Sequence, residues 1–353
     1  MKDVLTALFS TRNPKQEVQD VPLVADDILA CTGKLPLYAD FLRSNLNTAE
    51  AIALDKWLQS GFQFLSQRRR STFKEVFNRF PKLEFILFGD QTSRPVTGVV
   101  VPGKDQSGRE YPFAIFKVLG SPVKASQIPL LPTMFNNFRN LAMALTQENW
   151  MDLDRELLFK RINSLPTNEF EAGQAYLNKQ ARSQLEVLSS QSLWETILPV
   201  SSLEERVEFI KIFNKRVQSI IALSAQSRKW GIEINIFNAN KREMVQHFFV
   251  SLVVKMLGEG PWNGQSWLSE FSEGKSRLTL FFRPVIDEDF LTLVDYEAGR
   301  NNLIVINDLV QESELSDHGR ENPDKSTSNN MADLMNDWMA LFEKHQYQSR
   351  PVQ

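Results

Sequence analysis

The stretch LEFILFGDQTSRPVTGVVVPGKDQSGREYPFAIFKVL, residues 83–119, decides the fold class. LEFILFG (83–89) is an almost unbroken apolar run, the composition of a strand buried on both faces. VTGVVVP (96–102) and YPFAIFKVL (111–119) are two further strand signals, and the turn-rich GKDQSGRE lies between them. Upstream, TAEAIALDKWLQSGFQFLSQ (48–67) offers Thr48 as N-cap. It places Ile52, Leu54, Trp57, Leu58, Phe62 and Leu65 at helical spacing. STFKEVFNRF (71–80) reads as a shorter helix stopped by Pro81, and DDILACTG (26–33) as a first buried strand ending in a glycine turn. Strands interleaved with helices predict an α/β layered sandwich.

Downstream the pattern turns helical over 127–226. MFNNFRNLAMAL, LDRELLFKRINSL and LEERVEFIKIFNKRVQSIIALSAQ all carry a 3.6-residue period. GIEINIFN and SRLTLFFRP read as strands and KREMVQHFFVSLVVKMLG as a helix. DEDFLTLVDY reads as a short closing helix with its acids where the dipole favours them. QESELSDHGRENPDKSTSNN (311–330) holds one large apolar residue, too few to offset chain entropy, so disorder is expected there. MADLMNDWMALFEKHQ then returns to helical spacing through Met331, Leu334, Met335, Trp338, Leu341 and Phe342. Such a helix either packs back on its own domain or docks in a partner's groove. No internal repeat is visible. Residues 1–26 form an arm, with Val4, Leu5, Leu8 and Phe9 in a short apolar turn before a polar linker.

The chain has 353 residues and a formal net charge of −3, which gives no global footprint for nucleic acid. Its one cysteine, Cys31, lies in the apolar run ILACTG and reads as a buried, inert thiol; no intrachain disulfide is possible. No stretch reaches the roughly 20 apolar residues of a membrane span. The apolar core of MKDVLTALFS is too short for a signal peptide, so a cytoplasmic location is expected, without membrane insertion.

For chemistry there is little material. His247, His318 and His345 are not at metal-ligand spacing, and no G-x-S-x-G elbow occurs. Gly274-Lys275-Ser276 lacks the upstream glycine of a phosphate loop and precedes a strand-like run, so it reads as a hairpin turn. No catalytic residue, metal or cofactor is assigned. Arg68, Arg69, Arg70, Lys74 and Arg79 form a basic stretch that is either a solvated face or a dock for an acidic partner or a nucleic-acid backbone. Lys34, Asp40, Asp105 and Arg109 flank strand ends, where they form either an anion or acid/base site or a salt-bridged corner.

Four motifs in register resemble the TagF (ImpM) family of type VI secretion-associated proteins. They are GKLPLYADF (33–41), LDKWLQSGF (54–62), FPKLEFILF (80–88) and VTGVVVPGKDQSGREYPFAIF (96–116). The matching positions include Gly33, Lys34, Pro36, Asp40, Phe41, Trp57, Gly98, Pro102, Asp105, Gly108, Arg109 and Pro112, with Tyr111 at an aromatic position. Leu83 stands where the family commonly has Trp, and Gly103 where it commonly has Ser. The resemblance covers about residues 27–119 and extends weakly to 260–282 and to FLTLVDY (290–296), where the family carries a tryptophan-rich strand and a closing strand–helix.

It implies a three-layer α/β/α sandwich. The domain plan that follows is a core over 27–125, a helical insertion or second subdomain over 126–230, and completing strands and helices over 231–310. A linker over 311–330 and a C-terminal helix and tail over 331–353 close it. The resemblance further implies a non-catalytic, post-translational repressor of type VI secretion that binds a forkhead-associated (FHA) scaffold protein. The alternatives are a structural adaptor that promotes secretion and an enzyme for a small anionic substrate. Candidate partner contacts are Arg68, Arg69, Arg70, Lys74 and Arg79, and Met335, Trp338 and Phe342. Oligomeric state is not legible.

Overall fold

The computed structural model describes residues 26–89, 92–151, 154–167, 189–224, 227–258, 262–271, 276–295, 302–314 and 333–339. Among the described residues nine strands form one sheet: β1 (Ile28–Gly33), β2 (Leu42–Ser44), β3 (Lys82–Leu87), β4 (Val96–Val101), β5 (Phe113–Val118), β6 (Gly231–Ile236), β7 (Gln265–Glu270), β8 (Ser276–Phe281) and β9 (Leu303–Val305). Their spatial order is β2-β1-β5-β4-β3-β7-β8-β6-β9. Every neighbouring pair is antiparallel except β6 and β9.

Helices cover both faces, which makes three layers. On one face lie α1 (Ala49–Arg68) and α2 (Phe73–Asn78), with α8 (Asp287–Val294) beside them. The opposite face carries α3 (Asn136–Thr146), α4 (Arg155–Asn163), α5 (Ser190–Ile197), α6 (Leu203–Ile221), α7 (Arg242–Leu257) and α9 (Ile306–Glu314). The helices within 126–230 thus form a layer of the same sandwich.

Local chemistry accounts for α1. Thr48 Oγ1 accepts from Ala51 N at 3.2 Å, Glu50 sits in the first turn and Arg68 in the last, where the helix dipole favours each. Its inner face sets Leu54, Trp57, Leu58 and Leu65 against the sheet, and burial of each such side chain stabilises the fold by about 1.5–3 kcal/mol. Helix α8 runs in step beside it. Trp57 Nε1 donates to Ile286 O at 2.8 Å, Ser60 Oγ to Asp287, and Arg69 pairs with Asp295 at 2.5 Å. The approach is close enough that a Cβ on Gly61 would stand 2.5 Å from Phe290 Cβ.

The N-terminal and C-terminal strands meet where β3 pairs with β7, and charge reinforces that seam. Glu84 of β3 is buried between Arg139 of α3 (3.3 Å) and Arg242 of α7 (2.6 Å), and Arg242 also reaches Glu270 of β7 at 2.5 Å. A buried carboxylate needs such partners, because its desolvation otherwise outweighs folding gains.

Several expectations change. Strands β2 and β9, and helix α9 beyond β9, are additions: DEDFLTLVDY does not close the fold. Helix α9 runs to Glu314, so residues 311–314 of the expected disordered segment are helical, because Ile306 and Val310 anchor that helix in the core; residues 315–330 lie outside the described set. Ser276 opens β8 opposite Glu270 of β7, so a strand follows the Gly-Lys-Ser triplet; Gly274 and Lys275 are outside the described residues. Residues 333–339 are helical, and Met335 and Trp338, counted above as candidate partner contacts, are buried in the chain's own core. Trp338 Nε1 donates to Asn214 of α6 at 2.6 Å, inside a cage of Trp194, Phe209, Phe213, Phe248 and Phe249. Those two side chains have no surface left for a partner. Phe342 and the apolar turn of the N-terminal arm fall outside the described residues.

Candidate functional site: a locked corner and a cationic face

Most of the motif residues converge at one corner of the sheet, where the 34–41 loop meets the β4–β5 loop. Gly33 ends β1 with φ +128°, and a Cβ there would stand 2.1 Å from Pro112 O. Only glycine fits that approach without strain. Gly103 has a different reason: its Cβ would lie 2.2 Å from Lys34 O, so the two loops touch backbone to backbone. The position where the resembled family commonly has Ser leaves no room for a side chain here. Gly108, at φ +82°, closes the turn that returns the chain to β5.

Asp105 is the hub. Its carboxylate accepts from Lys34 Nζ (2.9 Å), Ser107 N (3.0 Å), Ser107 Oγ (2.7 Å), Arg109 N (2.9 Å) and Arg109 Nε (2.7 Å). Burial alone would raise its pKa, but the bonds from Lys34, Ser107 and Arg109 outweigh burial and hold the carboxyl well below the usual carboxylate range. Arg109 also donates to Ala39 O at 2.5 Å, and Gln106 N to Tyr38 O at 3.0 Å, so the two loops are sewn together at three points.

Asp40 does not join this network. It is exposed and accepts from its own neighbour, Phe41 N, at 2.7 Å, because the loop directs its carboxylate into solvent. Arg109 reaches the 34–41 turn through a backbone carbonyl instead. Pro36 lies within that turn, and Pro102 and Pro112 bracket the opposite loop.

Beneath the polar hub lies a ring stack that sequence reasoning only half captured. Phe41 meets Tyr111 edge-on at 4.8 Å, and Tyr111 meets Phe62 of α1 at 4.9 Å. Lys34 and Arg43 each sit 5.0 Å from the Phe41 ring centre, at cation–π range. Asp55 of α1, also missed, accepts from Thr32 Oγ1 at 2.5 Å and Gln59 Nε2 at 2.8 Å and pairs with Arg43 at 3.6 Å. Burial, and then the nearby Asp55 charge, raise the Tyr111 pKa above its ordinary value. The helical spacing that marks Phe62 as a core residue was the available signal for the stack; nothing local marks Asp55.

Two motif residues serve elsewhere. Trp57 packs against Trp267 (5.4 Å) and Phe290 (5.7 Å) under α1, and Gly98 lets β4 lie close to β5, with a Cβ 2.4 Å from Ile115 O. Cys31 is buried, and burial pushes its thiol up to about 12, which leaves no thiolate near neutral pH. His247 is buried beside Thr133 (2.7 Å), and burial pushes its pKa down to about 4.

Chemically, the corner is saturated: the Asp105 oxygens are occupied by five donors, so the carboxylate has no ready role as a base. Among the described residues no group of His, Cys, Asp and Glu is arranged to hold a metal ion. A groove of about 620 Å³, lined in part by Trp230, Leu303, Ile304 and Val305, lies at the far edge of the sheet and shares no residue with the corner. No helix among the described residues is long and apolar enough to cross a membrane.

The basic stretch runs from the C-terminal end of α1 across the α1–α2 junction to Arg79, the C-cap of α2. Arg68, Arg70, Lys74 and Arg79 are exposed there, while Arg69 turns away to pair with Asp295.

Residues 30–165 match the family model described as TagF N-terminal domain, type VI secretion system-associated. A crystal structure of PA0076 from Pseudomonas aeruginosa PAO1 is similar to this chain at 21% identity, over 39% of this chain and 63% of that one, with a TM-score of 0.33. No curated protein matches.

Proposed function

We propose that this chain, whose residues 30–165 match the TagF N-terminal domain of type VI secretion-associated proteins, is a non-catalytic, post-translational regulator that represses type VI secretion. In this reading it acts in the cytoplasm by binding and sequestering an FHA-domain scaffold protein. The observation that carries the reading is the family match falling on a corner whose polar groups are spent on one another. The residues that make the family recognisable there build shape, and a shape that rigid suits binding more than turnover. Mass action is then sufficient: with free regulator at about ten times Kd, roughly a tenth of the scaffold stays free.

The test is deletion of the gene in its own bacterium, followed by measurement of secreted type VI tube protein. A rise in secretion, reversed by the intact gene, is expected. A fall would overturn repression in favour of an adaptor that promotes assembly. Turnover of a small anionic compound, abolished in a folded Lys34→Met variant, would overturn the non-catalytic reading.

A further inference from the structure

The α1–α2 junction carries charge that the fold does not use. Some cations elsewhere are answered by acids, Arg43 by Asp55, Arg94 by Glu50, Lys104 by Glu110 and Arg161 by Glu148, and others, such as Lys211 and Lys215, are exposed with no ion pair among the described residues; what sets the junction apart is the number of exposed cations gathered against one acid. Arg70, Lys74 and Arg79 have no such partner among the described residues, and Arg68 is parked over the ring of Phe64 at 5.2 Å. Glu75 is the one exposed acid between Arg68 and Arg79. The C-terminal dipole of α1 accommodates Arg68 and its neighbours. Lys74 lies in the first turn of the six-residue α2 and Arg79 stands at its C-cap.

We propose that this junction is a docking face for an acidic segment of a partner protein. A nucleic acid fits less well. Phe62, Phe73, Phe77 and Phe80 pack on one another and are buried or half-buried, so none of these rings lies open for a base to stack on. An anionic membrane also fits less well, because the exposed large apolar side chains include none between Phe62 and Lys82, and an interfacial helix needs an apolar face. A short run of Asp and Glu needs neither rings nor apolar insertion. It answers the four cations and relieves their mutual repulsion. This inference stands apart from the repressor reading: it concerns the chemistry of the contact, whichever protein supplies it.

The test uses the full chain and a fluorescein-labelled oligo-glutamate peptide, read by fluorescence anisotropy at low and at physiological salt. Saturable binding that weakens with salt is expected. The triple variant Arg70→Glu/Lys74→Glu/Arg79→Glu should bind about tenfold or more weakly, with an unchanged melting temperature. The control Lys211→Glu/Lys215→Glu, which reverses exposed cations on α6, should bind like the unmodified chain. If the triple variant does not fold, Arg70→Gln/Arg79→Gln serves in its place. Absence of binding at low salt, or equal loss in the α6 control, overturns the proposal. Tighter binding of a single-stranded oligonucleotide, or of phosphatidylserine vesicles, overturns it in favour of that ligand.

Discussion

Replacing Trp338 by Ala tests whether the C-terminal helix belongs to the core or to a partner. Its indole is fully buried, caged by five aromatic rings and hydrogen-bonded to Asn214 at 2.6 Å. Truncating a buried Trp to Ala costs about 3–5 kcal/mol through lost transfer energy and the cavity left behind. The orphaned Asn214 oxygen is a further penalty, of about 1–3 kcal/mol if water cannot reach it. Against a total stability of about 5–15 kcal/mol, this is a large fraction. The assay is urea unfolding followed by tryptophan fluorescence and far-UV circular dichroism. The midpoint should fall clearly in Trp338→Ala. It should fall less in Trp338→Phe, which keeps one aromatic ring in the cage but loses the N–H and part of the indole volume. An unchanged midpoint in Trp338→Ala, with the slope unchanged, would refute the docking of residues 333–339 on α5, α6 and α7.

Gly33→Ala should destabilise the corner by about 1–3 kcal/mol, because the new Cβ must displace Pro112 O from a backbone at φ +128°; the urea midpoint reads it. Arg139→Met leaves buried Glu84 with Arg242 alone and should cost about 3–5 kcal/mol by the same assay. Glu50 has its pKa pulled down to about 2: burial would raise it, but the Arg94 hydrogen bonds prevail. Its folded pKa is below the unfolded one, so its stabilisation is present above about pH 4.5 and is lost as pH falls toward 2; carboxyl NMR titration should show Glu50 moving up toward its ordinary value in Arg94→Ala.

Legibility followed the physics of each element. Strands β3, β4 and β5 and helices α1, α6 and α7 are plain in the sequence, because long apolar periods depend on no distant partner. Strand β2 is three residues long and lies at the sheet edge with β1 as its one neighbour, and β9, also three residues, pairs with β6 more than 60 residues upstream. Neither is visible in a local window. The corner was half legible. Lys34, Asp105 and Arg109 do meet. Asp40 shares their residue type and strand-end position, but side-chain direction, which spacing does not encode, takes it into solvent. Glu84, a lone charge in the apolar run LEFILFG, was the visible trace of the buried ion network, but its partners come from α3 and α7.

The reading of this chain as a regulator that grips a scaffold is tested most directly by calorimetric titration of the full chain into the purified FHA-domain scaffold of the same secretion system. The account predicts saturable binding at a defined stoichiometry. Flat heats across the titration, with both proteins folded, would contradict it.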